Sequence, residues 1–360
     1  METPAISPRI REPLRRTLAG EPAEWPELME EESLALAMHG VASLVYATAR
    51  VLQLRGQSMH AAAIEPIRLE DLRAVLDRLG ADVLLIKGTP LAYEIYPAPE
   101  LRPRGDTDLL IARDSLDAVR AAFREMGFSE HLSSGDEHAV RQVTFSRRDA
   151  RGVEHAYDVH WNITNTPLFA ETLRYDELLA RAVAVPAIGA NARTLSRVDA
   201  LLLACIHRVA HHHDSDRLIW LVDIALLRDR MTRDEHAQFW RMASDRGVAG
   251  VCIRSVELAD DWCARAPQHR PEEFLSREEI ERDEPSRVYL DREITYGRVM
   301  LADFRALPWR ARLRRLWQLA LPPAAFMRQS FRPRSRFALP WLYVYRGARG
   351  IRRLFRRARA

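Results

Sequence analysis

The chain reads as α/β (α+β), with a small mixed-sheet core flanked by N-terminal and C-terminal helical regions. Three observations predict this. Val83-Leu84-Leu85-Ile86 and Thr107-Asp108-Leu109-Leu110-Ile111 are apolar runs too short for helices and bounded by turn residues. A helical pattern follows each run, and two further extended stretches, around Ala139–Arg147 and Val153–Trp161, flank a turn-like Arg148-Asp149-Ala150-Arg151-Gly152. After Pro167 the apolar periodicity is helical almost to the end. Strand, helix, strand, helix and hairpin in that order make an α/β core of roughly 85 residues.

Residues 1–72 read as a helical lead-in. Ser33-Leu34-Ala35-Leu36-Ala37-Met38 suits a helix, and Gly40 is placed to end it. Between Ile67 and Leu79, apolar residues recur at three and four, predicting an amphipathic helix that stops at Gly80. The core, 73–165, starts with the Val83–Ile86 strand. Pro90 opens a short helix through Tyr96, and Asp114-Ser115 caps a helix that Gly127 ends. In the helical segment 166–303, Ser196 caps a helix whose Leu202, Cys205, Ile206 and Val209 share a face. Leu218–Leu227 is apolar nearly all round except Asp223, which predicts a buried helix. Residues 304–360 form a separate arginine-rich tail.

The totals exclude several classes. A chain of 360 residues that is 47% hydrophobic and 29% charged folds and is not disordered. Cys205, Cys252 and Cys263 form no CxxC pair, which argues against a disulfide framework or zinc knuckle and fits a reducing cytosol. The N-terminus lacks a basic stretch followed by an apolar one, so no signal peptide is expected. No window approaches the roughly 18 uninterrupted apolar residues of a membrane span. The net charge of +4 hides an asymmetry: 304–360 holds sixteen arginines and no acidic residue, leaving −12 on the rest. Such a tail seeks an anionic partner: a membrane surface, nucleic acid or the protein's own acidic body.

Of the 54 Lys+Arg, a single residue is lysine, Lys87, in Leu85-Ile86-Lys87-Gly88-Thr89. Lysine is a compact point charge that can sit against one phosphate oxygen, unlike the planar arginine fork. Downstream lies Arg102-Pro103-Arg104-Gly105-Asp106-Thr107-Asp108. On a strand, Asp106 and Asp108 leave the same face. Adjacent carboxylates repel unless a cation joins them, and hard oxygen donors suit Mg²⁺. In Val153–Trp161, Asp158 and His160 share a face, so Asp158 emerges as a third carboxylate from a neighbouring strand. Three such groups can bridge two ions for an in-line displacement at phosphorus.

Lys-Gly-Thr-Pro-Leu-Ala at 87–92, Arg-Pro-Arg-Gly-Asp-Thr-Asp-Leu-Leu-Ile at 102–111 and Tyr-Asp-Val-His-Trp at 157–161 resemble the nucleotidyltransferases of the DNA polymerase β-like superfamily. The nearer resemblance is to the bacterial branch often found with exopolysaccharide genes. It implies transfer of a nucleoside monophosphate from an NTP to an acceptor, with Asp106, Asp108 and Asp158 as catalytic and metal residues. Two Mg²⁺ ions, with Mn²⁺ as the alternative, are the implied cofactors. Gly88 and Thr89 match the superfamily's turn, with Gly-Thr replacing Gly-Gly or Gly-Ser. Lys87 and Arg102 match basic positions suited to phosphate binding, and His160, His207 and His211 are further nucleotide-binding candidates.

The helical segment leaves alternatives open. His207 and His211 share a helix face and run into His212-His213-Asp214. They could pair with a buried Asp223, contact the nucleotide, or hold a metal, although HExxH is absent and the distal Asp of an HD phosphohydrolase is not evident. In the tail, Trp309, Leu313, Leu316, Trp317 and Ala320 line one helical face among arginines, a pattern suited to an anionic bilayer; Ile351 and Leu354 mark a weaker second example. The expected protein is thus a cytoplasmic nucleotidyltransferase, peripheral at the inner membrane face if the tail binds there. A non-catalytic nucleotide-binding scaffold and nucleotidylation of a partner protein are the competing functions.

Overall fold

The computed structural model describes residues 4–131, 141–212, 214–266, 269–291, 293–322, 327, 331 and 339–355. The apolar run after Gly80 becomes β1, Leu84–Ile86, and the run after Gly105 becomes β2, Thr107–Leu110, antiparallel to it. The hairpin expected around 148–152 forms β4 (Gln142–Arg148) and β5 (Glu154–His160), antiparallel with Arg148 opposite Glu154. The first residues of that expected hairpin, 139–140, lie outside the described residues. β5 lies parallel to β2, with Asp108 directly opposite Asp158.

The sheet is larger than the expected core. Short strands β3 (Ser129–His131), β6 (Val183–Ala184) and β7 (Arg193–Thr194) complete a seven-stranded mixed sheet of order β3-β4-β5-β2-β1-β7-β6. β7 runs parallel to β1, and Thr194 Oγ1 donates to the carbonyl of Leu85 at 2.8 Å. The region after Pro167 is therefore not purely helical. Two-residue strands carry no periodicity that a sequence could display.

Helices surround the sheet: α1 (Pro8–Leu18), α2 (Glu30–Met38), α3 (Ala42–Ala49) and α4 (Arg55–Leu79) precede it. The helix expected from Ile67 begins at Arg55, contains Pro66 and crosses the 72/73 segment boundary; it ends where Gly80 takes φ +84°. α5 (Gly88–Glu94) starts two residues before Pro90, which still sits in the first turn, where a missing N–H costs nothing. α6 (Leu116–Glu125) follows a 3₁₀ turn instead of an Asp114-Ser115 side-chain cap. After α7 (Tyr175–Ala180), Ser196 caps α8 (Arg197–Ala210) by accepting from the Asp199 N–H, and α9 is Leu218–Asp229. α10 (Arg233–Asp245), α11 (Ala249–Trp262), α12 (Arg277–Glu281), α13 (Tyr296–Ala306), α14 (Trp309–Ala320) and α15 (Leu339–Leu354) follow among the described residues. Among the described residues no helix is long and apolar enough to cross a membrane.

Strand alternation divides the interior into two cores. Leu85, Leu109, Phe145, Tyr157 and Val159 face α4 and α6, where Phe123 stacks on Phe145 with centroids 4.5 Å apart. Leu84, Ile86 and Leu110 face the larger core built with α8, α9 and α11. Side chains two residues away from these on the strands share their face. Asp108, Asp158 and His160 therefore look toward α8 and α9, not toward α4.

Candidate active site

The site is the gap between this polar end of the sheet and helices α8 and α9, a cavity of about 340 Å³. Lys87, Gly88, Asp106, Asp108 and Asp158 line one wall, and His207, His211 and Trp220 line the other. Lys87 follows β1 with φ +59° and ψ −129°, a conformation an L residue rarely adopts. Such strain is held where the surrounding structure over-determines it, often at a functional position. It turns the chain from strand into α5 and sends the ammonium across to β2, where Nζ donates to Asp108 Oδ1 at 2.6 Å.

His160 Nε2 lies 2.8 Å from the same Asp108 oxygen and 3.3 Å from Lys87 Nζ. Burial and the Lys87 charge lower the His160 pKa, so the ring is neutral at physiological pH. Burial would raise the Asp108 carboxyl, but Lys87 and His160 overcome it and hold that group well below the usual range. Asp158 accepts from the Thr144 hydroxyl at 2.5 Å, across the β4–β5 pair.

Asp106 lies one residue before β2 instead of on it. Although its side chain keeps a path to solvent, desolvation by the protein around it, followed by Asp108 and Asp158, pushes its carboxyl up to about 6. One ligand atom each from Asp108, Asp158 and His160 lies within 4.8 Å of the others, so this Asp-Asp-His group could hold a metal ion. Its donors, two carboxylates and an imidazole, fit a divalent cation. The sequence placed His160 beside Asp158 but assigned the metal to carboxylates alone.

Several of the expected site residues have partners within the protein. Arg102, expected at phosphates, forms a two-pronged ion pair with Asp223, Nε to Oδ1 at 3.0 Å and Nη2 to Oδ2 at 2.7 Å. Asp223 also accepts from Tyr96 at 2.8 Å, so the expected pairing of His207 or His211 with Asp223 is not what forms. An arginine fork matches both carboxylate oxygens, which an imidazole cannot do. A Cβ on Gly88 would come within 2.3 Å of Arg102 Nη1, so the guanidinium is pressed against the turn. Thr89 is buried, with its hydroxyl donating to that of Thr107 at 3.2 Å.

His211 bonds the Thr164 hydroxyl at 2.8 Å, and burial followed by the Lys87 charge pulls its pKa down to about 3. Burial also drives His207 well below its ordinary value, and its buried Nδ1 has no hydrogen-bond partner. His212 stacks obliquely on Trp220, with centroids 4.1 Å apart. Asp214 pairs with the fully buried Arg208 at 2.6 Å, a structural role, and His213 lies outside the described residues. Sequence reasoning missed Thr144 and Trp220. The hairpin turn would have given Thr144, because its register sets residue 144 opposite 158; Trp220 carries only the looser resemblance of the Trp220-Leu221-Val222-Asp223-Ile224 stretch, with no role attached.

A protein family described as "Uncharacterised nucleotidyltransferase" matches residues 67–264, over half of the chain and all the site elements. The chain belongs to this nucleotidyltransferase family. The match includes α8 and α9 as well as the sheet, so the helical wall of the cavity belongs to the family unit. No curated protein matches the chain. Membership implies a nucleotide substrate for the transferase.

Proposed function

We propose that this nucleotidyltransferase moves a nucleoside monophosphate from an NTP to an acceptor hydroxyl, releasing pyrophosphate. The observation that carries the reading is the β2–β5 register, which sets Asp108 against Asp158 at the cavity floor with Lys87 between sheet and helix. Asp108 and Asp158, joined by Asp106 from the preceding loop, would hold Mg²⁺, with Mn²⁺ as the alternative and His160 as a further donor. Bound divalent ions supply charge neutralisation at the triphosphate and at the attacking oxygen.

The chain's own residues do the rest. Lys87 pivots from Asp108 to a phosphate oxygen, and the Gly88–Thr89 turn keeps bulk away from the phosphates. Asp158, oriented by Thr144, accepts the acceptor's proton. Neutral His207 and His211, with Trp220, line the helical wall of the cavity and contact the base or ribose.

The resemblance to a branch found with exopolysaccharide genes makes a carbohydrate hydroxyl the first acceptor to try, and a polypeptide the second. Incubation with each α-labelled NTP and Mg²⁺ or Mn²⁺, followed by analysis of free pyrophosphate and of the labelled product, tests the reading. Metal-dependent pyrophosphate release supports it. NTP binding by calorimetry without release, for every nucleotide and acceptor class, would favour a non-catalytic binding role.

A further inference from the structure

We infer that the arginine-rich tail is a docking surface for an anionic lipid bilayer. α14 exposes Trp309, Leu313, Leu316 and Trp317, spaced so that they share one face, at 64, 58, 50 and 67% of full exposure. α15 repeats the arrangement with Trp341 and Val344 at 76 and 65%. Every tryptophan elsewhere in the described chain is buried or half-buried, so outward-facing tryptophan is confined to the tail. Leaving that much aromatic and aliphatic surface in water costs roughly 25 cal/mol per Å², which an apolar phase would recover.

Arginines flank the apolar face. The Arg310 guanidinium lies 5.2 Å from the Trp309 ring centroid, and Arg312 donates to the backbone carbonyls of Leu307 and Arg305. Tyr343, on the inner side of α15, donates to the Pro322 carbonyl at 2.6 Å. This contact ties α15 to the end of α14 while Trp341 faces solvent.

Charge selects the occupant. Residues 304–360 carry sixteen arginines and no acid. A second copy presenting the same face would set sixteen positive charges against sixteen, so self-association is opposed. A nucleic acid would satisfy the arginines but leave a Leu-Trp stripe wet. An anionic bilayer satisfies both, with guanidinium groups at the headgroups and indole rings at the interface. The sheet site then works beside a membrane surface, whatever its acceptor.

Flotation of the full chain with phosphatidylcholine vesicles, with and without phosphatidylglycerol, tests this. The protein should float with the anionic vesicles, release as salt rises, and show tryptophan quenching by brominated lipid. A Trp309→Ser/Trp317→Ser/Trp341→Ser variant, altered only at exposed positions and checked by circular dichroism, should bind at least about tenfold more weakly and lose the quenching. Equal flotation with neutral vesicles, an unaffected triple variant, preferential capture of a random DNA duplex, or a stable dimer with no flotation would each overturn the inference.

Discussion

Replacing Asp223 with alanine should be among the most damaging single changes in the protein, although residue 223 is far in sequence from the carboxylates. Asp223 accepts three hydrogen bonds, two from Arg102 and one from Tyr96, and both ion-pair partners are under 10% exposed. Removing the carboxylate strands a buried guanidinium and a buried hydroxyl. Breaking such a pair costs about 3–5 kcal/mol, and the orphaned tyrosine hydroxyl places this case toward the upper end. Against a total stability of about 5–15 kcal/mol that is a large share. Urea unfolding should show a lower midpoint with an unchanged slope. An Arg102→Met/Asp223→Leu/Tyr96→Phe variant, which removes every stranded group, should recover most of the loss. Because Arg102 presses on Gly88, Asp223→Ala should also slacken the turn and reduce nucleotide transfer. A loss below about 1 kcal/mol for Asp223→Ala, or an Arg102 substitution that changes only the KM for NTP, would refute the bracing role.

Two further predictions follow from the same geometry. Lys87→Ala and Lys87→Gly both remove the ammonium from Asp108, but only glycine relieves the positive φ. Lys87→Gly should therefore be the more stable of the two by about 1–2 kcal/mol, reversing the usual order, and thermal melts of both variants check it. Asp106 has its folded-state carboxyl pushed up to about 6, against roughly 3.9 when unfolded. Its contribution is fully present below about pH 4 and lost as pH rises through 6. In chelator, Asp106→Asn should match the unmodified protein near pH 4 and exceed its stability at pH 7 to 8; coincident curves throughout would contradict this.

Much of the site was legible in the sequence because strand alternation is a strict period of two. That rule placed Asp158 and His160 on one face, and β2–β5 pairing put Asp108 opposite Asp158. The buried α9 and the capped α8 were legible for similar reasons, an all-round apolar run and a serine before a periodic stretch. What stayed hidden depends on contacts between distant segments. Arg102 and Asp223 are 121 residues apart, and arginine beside a D-x-D strand reads equally as a phosphate ligand. β6 and β7 are two residues each, below any pattern. Asp106, expected to extend its strand face, lies one residue before β2, whose pairing with β5 starts at Thr107.

The most direct test of the central claim is metal-dependent pyrophosphate release by the unmodified protein and by Asp158→Asn. This substitution is cleaner than one at Asp108, which also anchors Lys87 and His160. Asp158 keeps a Thr144 partner when changed to asparagine, so folding should survive. The account predicts turnover at least about 100-fold lower with an unchanged circular dichroism spectrum, together with weaker Mn²⁺ binding by electron paramagnetic resonance. A folded Asp158→Asn protein that binds Mn²⁺ and releases pyrophosphate as the parent does would contradict it.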